Sequence, residues 1–184
     1  AEPRRSTLGG ERVAIFAAPA AQFIEAFFGV LLAGGSVLVL SPLHPAPETL
    51  YFCDGAQVRT VLVSREVPGQ TELAAPLAPQ RDVRAIEEMT LAHENIGDVT
   101  AAALSAGGDA PALQLYTSGT TGKPKGAVIT PANLAVQQEL VGAAWGFGET
   151  DVLLHALPLH HMHGLAIALL TALGAGATTR LTTF

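Results

Sequence analysis

The alternation of short apolar runs with helical repeats is the feature that most constrains the fold of this chain. Residues 13–17 and 36–40 form two apolar runs, and between them Phe23, Phe27 and Val30 recur at helical spacing. An apolar run of about five residues is typical of a buried strand, whereas a spacing of three or four residues is typical of a helix. The start of the chain is therefore predicted to form a β-α-β unit.

The same alternation continues along the rest of the sequence. It predicts further strands over 60–63, 83–86, 113–116, 127–129, 152–156 and 178–181, and further helices over 48–55, 131–145 and 165–173. Thr130 can cap the helix that begins at Pro131. Strands that alternate with helices predict an α/β domain with a largely parallel sheet and flanking helices, in which ligands bind beyond the carboxyl ends of the strands.

Composition excludes several classes of protein. The formal charge of -6 has the wrong sign for a nucleic-acid-binding protein. Cys53 is the only cysteine, so the chain cannot form an internal disulfide, and a cytoplasmic location is expected. The apolar runs over 27–40 and 164–177 contain glycines and are shorter than the ~20 residues of a membrane span. No membrane span is predicted.

The connection between the strands predicted at 113–116 and 127–129 has the composition of a phosphate-binding loop. Residues 116–126 read Tyr-Thr-Ser-Gly-Thr-Thr-Gly-Lys-Pro-Lys-Gly and include both lysines of the chain. Glycines let backbone N–H groups approach a polyphosphate, hydroxyls donate hydrogen bonds and lysines supply charge. A Walker-type P-loop is excluded, because Pro124 follows Lys123 where that motif needs Ser or Thr. A solvated hairpin loop rich in turn residues is the alternative.

A second cluster lies at residues 155–164, which read His-Ala-Leu-Pro-Leu-His-His-Met-His-Gly and hold four of the six histidines. Histidines can bind a metal ion. No carboxylate or cysteine lies among them, however, and adjacent side chains point in different directions, so a zinc site is disfavoured. Packing and substrate binding both remain open as roles for this segment.

The loop sequence resembles the phosphate-binding signature of the adenylate-forming superfamily, which includes acyl-CoA synthetases, luciferases and nonribosomal-peptide adenylation domains. The resemblance implies catalytic roles for Lys123 and Thr120 and a contact of Thr120 with Mg²⁺ through ATP. The residues that it implies for binding the β- and γ-phosphates of ATP are Thr117, Ser118, Gly119, Thr120, Thr121, Gly122, Lys123 and Lys125.

Residues 158–164 are similar to the next motif of the superfamily, a Pro-Leu-aromatic-His pattern before a glycine. The resemblance places His161, Met162 and His163 at the acyl substrate, and His160 stands where the superfamily usually has an aromatic residue. Residues 151–164 most resemble malonyl-CoA synthetases. The second carboxylate of malonate needs a positive partner such as arginine, and Arg180 is the only arginine after the loop.

The resemblance implies AMP-forming activation of a small carboxylic acid with ATP, Mg²⁺ and coenzyme A. The superfamily's Tyr-Gly-x-Thr-Glu segment, ribose-binding aspartate and late catalytic lysine do not occur in this sequence. Residues 1–184 are therefore expected to be a partial amino-terminal domain, without the downstream subdomain and C-terminal domain, nearly inactive alone and prone to self-association. The alternatives are a non-catalytic nucleotide- or phosphate-binding module, a ligase for another short- or medium-chain acid, and a structural protein whose loop is incidental.

Overall fold

A computed structural model describes residues 8–65, 69, 72, 74–89, 107–117 and 122–182. Short 3-10 turns occur at Ala75–Leu77 and Ile86–Glu88. The main elements, in chain order, are β1 (Arg12–Phe16), α1 (Ala21–Leu32), β2 (Ser36–Val39), α2 (Ala46–Gly55), β3 (Thr60–Val63), β4 (Asp82–Ala85), β5 (Leu113–Thr117), β6 (Lys125–Ile129), α3 (Pro131–Trp145), β7 (Val152–His155), a π-helix (His163–Leu170), α4 (Thr171–Gly174) and β8 (Thr178–Leu181).

The sheet is largely parallel. Among the described residues, six strands pair in the order β4-β3-β1-β2-β5-β6, and a separate pair is formed by β7 and β8. All neighbouring strands are parallel except β5 and β6, which form an antiparallel hairpin. The predicted α/β class with a largely parallel sheet and flanking helices is confirmed.

Both faces of the six-stranded sheet are covered, which explains why its strands are continuously apolar. Successive side chains of a strand point to opposite faces. Val13 and Ile15 accordingly join the α1 side of the core, whereas Ala14 and Phe16 join the α2 side. The π-helix and α3 also pack on the α1 side, through residues that include Leu165 and Leu134.

Local capping fixes the bounds of α3, as the sequence predicted. The Thr130 hydroxyl accepts from the Asn133 backbone N–H at 3.2 Å, and the Asn133 side chain accepts from the Thr130 N–H at 3.1 Å. Pro131 lies in the first turn, and Gly146 ends the helix with a φ of 68°. These are the reciprocal amino-terminal cap and the left-handed carboxyl-terminal cap that stabilise isolated helix ends.

Several element boundaries differ from the sequence prediction by one or two residues, and two of these differences concern the candidate site. Strand β6 begins at Lys125 and not at residue 127, so Lys125 and Gly126 belong to the hairpin rather than to the loop. The helix predicted over 165–173 is a π-helix from His163 to Leu170 that continues as α4. Apolar periodicity does not distinguish a π-helix from an α-helix, and wide π turns occur often at functional sites.

Candidate functional site

The carboxyl ends of the parallel strands meet at one edge of the sheet. Ser41 and His44 follow β2, Ser64 follows β3, and Thr117 ends β5. Ser41 shapes the turn after β2, because its hydroxyl accepts from the Leu43 N–H at 3.1 Å. In open α/β sheets this edge is where ligands bind.

The predicted phosphate loop leaves this edge as the connection of the β5–β6 hairpin. Thr117 lies opposite Lys125 in the strand register, so the two limbs of the loop start side by side. Gly122 has a φ of +93°, a left-handed conformation that favours glycine. Ser118, Gly119, Thr120 and Thr121 lie outside the described residues. Strands β5 and β6 thus form a hairpin, as the alternative of a solvated hairpin loop also requires. That alternative gives no role to the two lysines.

Both lysines are exposed at the end of this hairpin that carries the connecting loop. Within the described part of the chain, every ion pair to a carboxylate uses an arginine: Arg65 with Glu88, Arg81 with Asp54 and Arg84 with Asp82. The ammonium groups of Lys123 and Lys125 therefore form no ion pair with any described residue. Two cations held close to glycine and hydroxyl groups suit a polyanion.

The histidine segment is organised around two buried residues. His155 ends β7, and its Nε2 donates to the carbonyl oxygen of Gly164 at 2.8 Å. Leu159 is buried in the α1 side of the core. The turn over residues 158–161, which contains Leu159, is closed by the His161 N–H, which donates to the Pro158 carbonyl at 3.4 Å. His155 and Leu159 therefore serve packing, as the alternative role for this cluster predicted.

The residues predicted to contact substrate lie on the outside of this turn. His161, Met162 and His163 are all exposed at the start of the π-helix. The ring of His161 lies 4.3 Å from that of His160, which is half-buried. The structure thus brings the three predicted residues together on one exposed turn. Arg180 is exposed on β8, in register with Leu154 of β7.

His44 joins this turn, and sequence reasoning missed it. Its ring lies 6.3 Å from the ring of His160 and 5.2 Å from that of Phe52 on α2. His44 and His160 are far apart in sequence, and only the fold makes them neighbours. One signal could have identified His44, because it lies in the segment directly after a predicted parallel strand, where ligands commonly bind.

Burial keeps two of these imidazoles neutral. The pKa of His160 is lowered to about 4 by burial and by the neighbouring His161 and His44. Burial also lowers the pKa of His44, with Glu48 opposing the shift and His161 adding to it. Neutral imidazoles can both donate and accept hydrogen bonds.

Neither a metal cage nor a membrane span is found in the part of the chain that the structure describes. Among the residues that the structure describes, no group of three or more histidine, cysteine, aspartate or glutamate side chains could hold a metal ion. No helix in the described ranges is long and apolar enough to cross a bilayer.

A doubly covered, largely parallel sheet with a glycine-, hydroxyl- and lysine-rich hairpin at its carboxyl edge defines an α/β domain of the kind that binds ligands at that edge. The chain belongs to the AMP-binding enzyme family, which matches residues 6–183. It is 34% identical to a malonate–CoA ligase of Arabidopsis thaliana over 175 residues, which are 92% of this chain and 29% of that protein. The recognised superfamily is thus confirmed, and malonate–CoA ligases are among the relatives of this chain.

Solved structures agree with this assignment. ATP-bound MatB from Rhodopseudomonas palustris has a TM-score of 0.74 and 30% identity, covering 95% of this chain and 35% of its own. A malonyl-CoA ligase complex with methylmalonyl-CoA and AMP has a TM-score of 0.77 and 32% identity, again covering 95% of this chain and 35% of its own. The chain spans about 30% of the length of the curated relatives that it matches.

Proposed function

We propose that this chain is the phosphate-binding part of an AMP-forming acid–thiol ligase, which converts a carboxylic acid and ATP into an acyl-adenylate and then into a thioester of coenzyme A. The observation that supports it most is the β5–β6 hairpin, which presents Lys123 and Lys125, both without a described carboxylate partner, at the carboxyl edge of the sheet. The ATP-bound relative and the relative with bound AMP and methylmalonyl-CoA also support it.

In the proposed reaction the carboxylate oxygen attacks the α-phosphorus of ATP, and the bond to pyrophosphate breaks. A thiol then attacks the acyl carbon and AMP leaves. Charge builds on the departing pyrophosphate, so fixed cations and N–H donors there lower the barrier. We assign this role to Lys123 and Lys125 and to the hydroxyls and amides of Thr117, Ser118, Gly119, Thr120, Thr121 and Gly122.

Mg²⁺ would fit this arrangement as a companion of the nucleotide, where it would neutralise part of the phosphate charge. The described residues contain no three-ligand cluster of their own for it, and Mg²⁺ commonly keeps several waters and binds through substrate phosphates. We keep Thr120 as the residue proposed to contact the ion through ATP. The chain's own contribution is to position the phosphates and to balance their charge.

Malonate is the proposed acid. The support is the set of relatives named malonate–CoA ligase and malonyl-CoA ligase and the exposed turn of His161, Met162 and His163. His44 and His160 extend that turn with polar, neutral rings. Arg180 is the proposed partner of the second carboxylate. Another short- or medium-chain acid is the alternative, and substrate comparison separates the two.

A non-catalytic nucleotide-binding module remains the second candidate, because the chain spans only about 30% of its relatives' length. We propose that the isolated chain binds ATP but is nearly inactive. The test is ATP–pyrophosphate exchange by this chain with malonate, acetate and a long-chain fatty acid, alongside MgATP binding by calorimetry. Exchange with malonate alone would support the substrate and overturn the inactivity; binding without exchange would support ATP binding and the proposed inactivity of the isolated chain, which both candidates share.

Charge removal tests the loop itself. The Lys123→Ala/Lys125→Ala variant should bind MgATP at least tenfold more weakly, since a charge-assisted contact contributes about 1.5–3 kcal/mol. The matched control, Arg59→Ala/Arg84→Ala, removes two exposed positive charges from other parts of the chain and should leave ATP affinity within about twofold. Equal losses in the two variants would mean that the loop does not bind phosphate.

A further inference from the structure

Two aromatic side chains of α2 lie against the hairpin that holds the loop. The ring of Phe52 stacks on that of Tyr116 at 4.1 Å, with 17° between the ring planes. The Tyr116 hydroxyl donates to the Phe52 carbonyl oxygen at 3.2 Å. Tyr116 directly precedes Thr117, so this contact fixes the strand that enters the loop.

Tyr51 contacts the segment that leaves the loop. Its hydroxyl donates to the carbonyl oxygen of Pro124 at 3.3 Å, and its ring meets that of Tyr116 at 6.2 Å. Pro124 lies between Lys123 and Lys125. Because proline has no N–H, its carbonyl is the only backbone polar group that it can use to tie this segment down.

Glycines make room for the ring between helix and hairpin. A Cβ at Gly55 of α2 would lie 2.6 Å from the Tyr116 hydroxyl oxygen, and a Cβ at Gly126 of β6 would lie 3.3 Å from Tyr116 Cζ. Real Cβ atoms avoid the first distance and rarely make the second. The aromatic contact therefore depends on a small residue on each side.

From these contacts we propose that Tyr51 is a positioning residue for the phosphate-binding loop, because its hydroxyl holds the segment of Lys123 and Lys125 against α2. This inference rests on the proposed function, since positioning the lysines matters only if they bind phosphate. The same helix contacts the histidine turn through Phe52 and His44. Helix α2 thus joins the two halves of the candidate site.

Cleavage by endoproteinase Lys-C measures the first part of the proposal without any nucleotide. Of the two lysines in the chain, only Lys125 is not followed by proline. A single cut between Lys125 and Gly126 therefore reports opening of this segment. Tyr51→Phe keeps the ring and removes only the hydroxyl. Cleavage of this variant should be about fivefold faster, the factor expected for one hydrogen bond between neutral groups.

Thr49→Val is the matched control. Thr49 lies on the same helix, and its hydroxyl donates to the Pro45 carbonyl at 3.3 Å, away from the loop. This variant loses the same kind of bond and should be cleaved at the wild-type rate below its unfolding transition. Equal cleavage of wild type and Tyr51→Phe, or equal acceleration by both variants, would overturn the positioning role.

MgATP titration measures the second part. Tyr51→Phe should raise the dissociation constant about fivefold, whereas Thr49→Val, which loses a hydroxyl hydrogen bond of the same kind, should leave it unchanged, a pattern that a general structural role would not produce. Saturating MgATP should then protect Lys125 equally in both proteins. An unchanged dissociation constant would overturn the inference. If wild type itself binds no MgATP, the proposed function fails, and faster cleavage of Tyr51→Phe still supports the contact with Pro124.

Discussion

Gly164 is the position where one added methyl group should cost most. It is buried as the second residue of the π-helix, and its carbonyl accepts the His155 hydrogen bond. A Cβ there would collide with the Pro158 carbonyl oxygen and would lie 3.2 Å from Leu157 Cβ. The colliding atom is backbone that is already tied to the His161 N–H, so it cannot move away freely.

Gly164→Ala should therefore lower the free energy of unfolding by about 2 kcal/mol. Overpacking a core costs about 1–3 kcal/mol, and the gain in helix propensity from replacing glycine returns up to about 1 kcal/mol. The matched control is Gly142→Ala within α3, where the new Cβ would meet only Thr171 Cγ2 at 3.7 Å. That variant should gain about 0.5–1 kcal/mol.

Urea denaturation of wild type, Gly164→Ala and Gly142→Ala tests whether the two substitutions change the free energy of unfolding in opposite directions. Far-UV circular dichroism and the fluorescence of Trp145, the only tryptophan, should give coincident transitions. The m-value should be unchanged, so that the midpoint reports stability alone. Equal stability of Gly164→Ala and wild type, or a loss in Gly142→Ala of similar size, would refute the packing argument.

Three further outcomes follow from burial and exposure. The His160 pKa of about 4 lies below its ordinary value of about 6.5. The unfolded chain therefore binds the proton first as the pH falls, and the free energy of unfolding decreases between about pH 6.5 and 4. His160→Phe should remove about 1 kcal/mol of the decrease measured between about pH 7 and 5. Burial raises the Cys53 pKa to about 11, so a chromogenic disulfide reagent should label it quickly only in denaturant, and fast native labelling would contradict this. Val136 and Leu140 are 56% and 65% exposed on α3, so the chain should self-associate in gel filtration and Val136→Ser/Leu140→Ser should shift it toward monomer; a wild-type monomer would count against that surface.

The loop illustrates how much a local sequence can indicate. Its glycines, hydroxyls and lysines predict a phosphate site without any coordinates, because the chemistry of a polyanion requires those groups close together in the chain. The start of β6 at Lys125 was not predicted, since lysine and glycine have low strand propensity. Pairing with β5 overrides that propensity, and it places Lys125 directly opposite Thr117.

The sequence alone determined three features: the succession of strands and helices along the chain, the capping of α3 by Thr130 and the family signature. Each depends on residues within a few positions of one another. Tertiary structure decided which distant residues meet. Tyr51 reaches Pro124 because parallel pairing brings the segments after β2 and β5 to one edge of the sheet. His44 contacts His160 because the fold places the turn after β7 beside the segment after β2. Strand order depends on pairing between segments far apart in the chain, and the local period of a sequence does not encode that pairing.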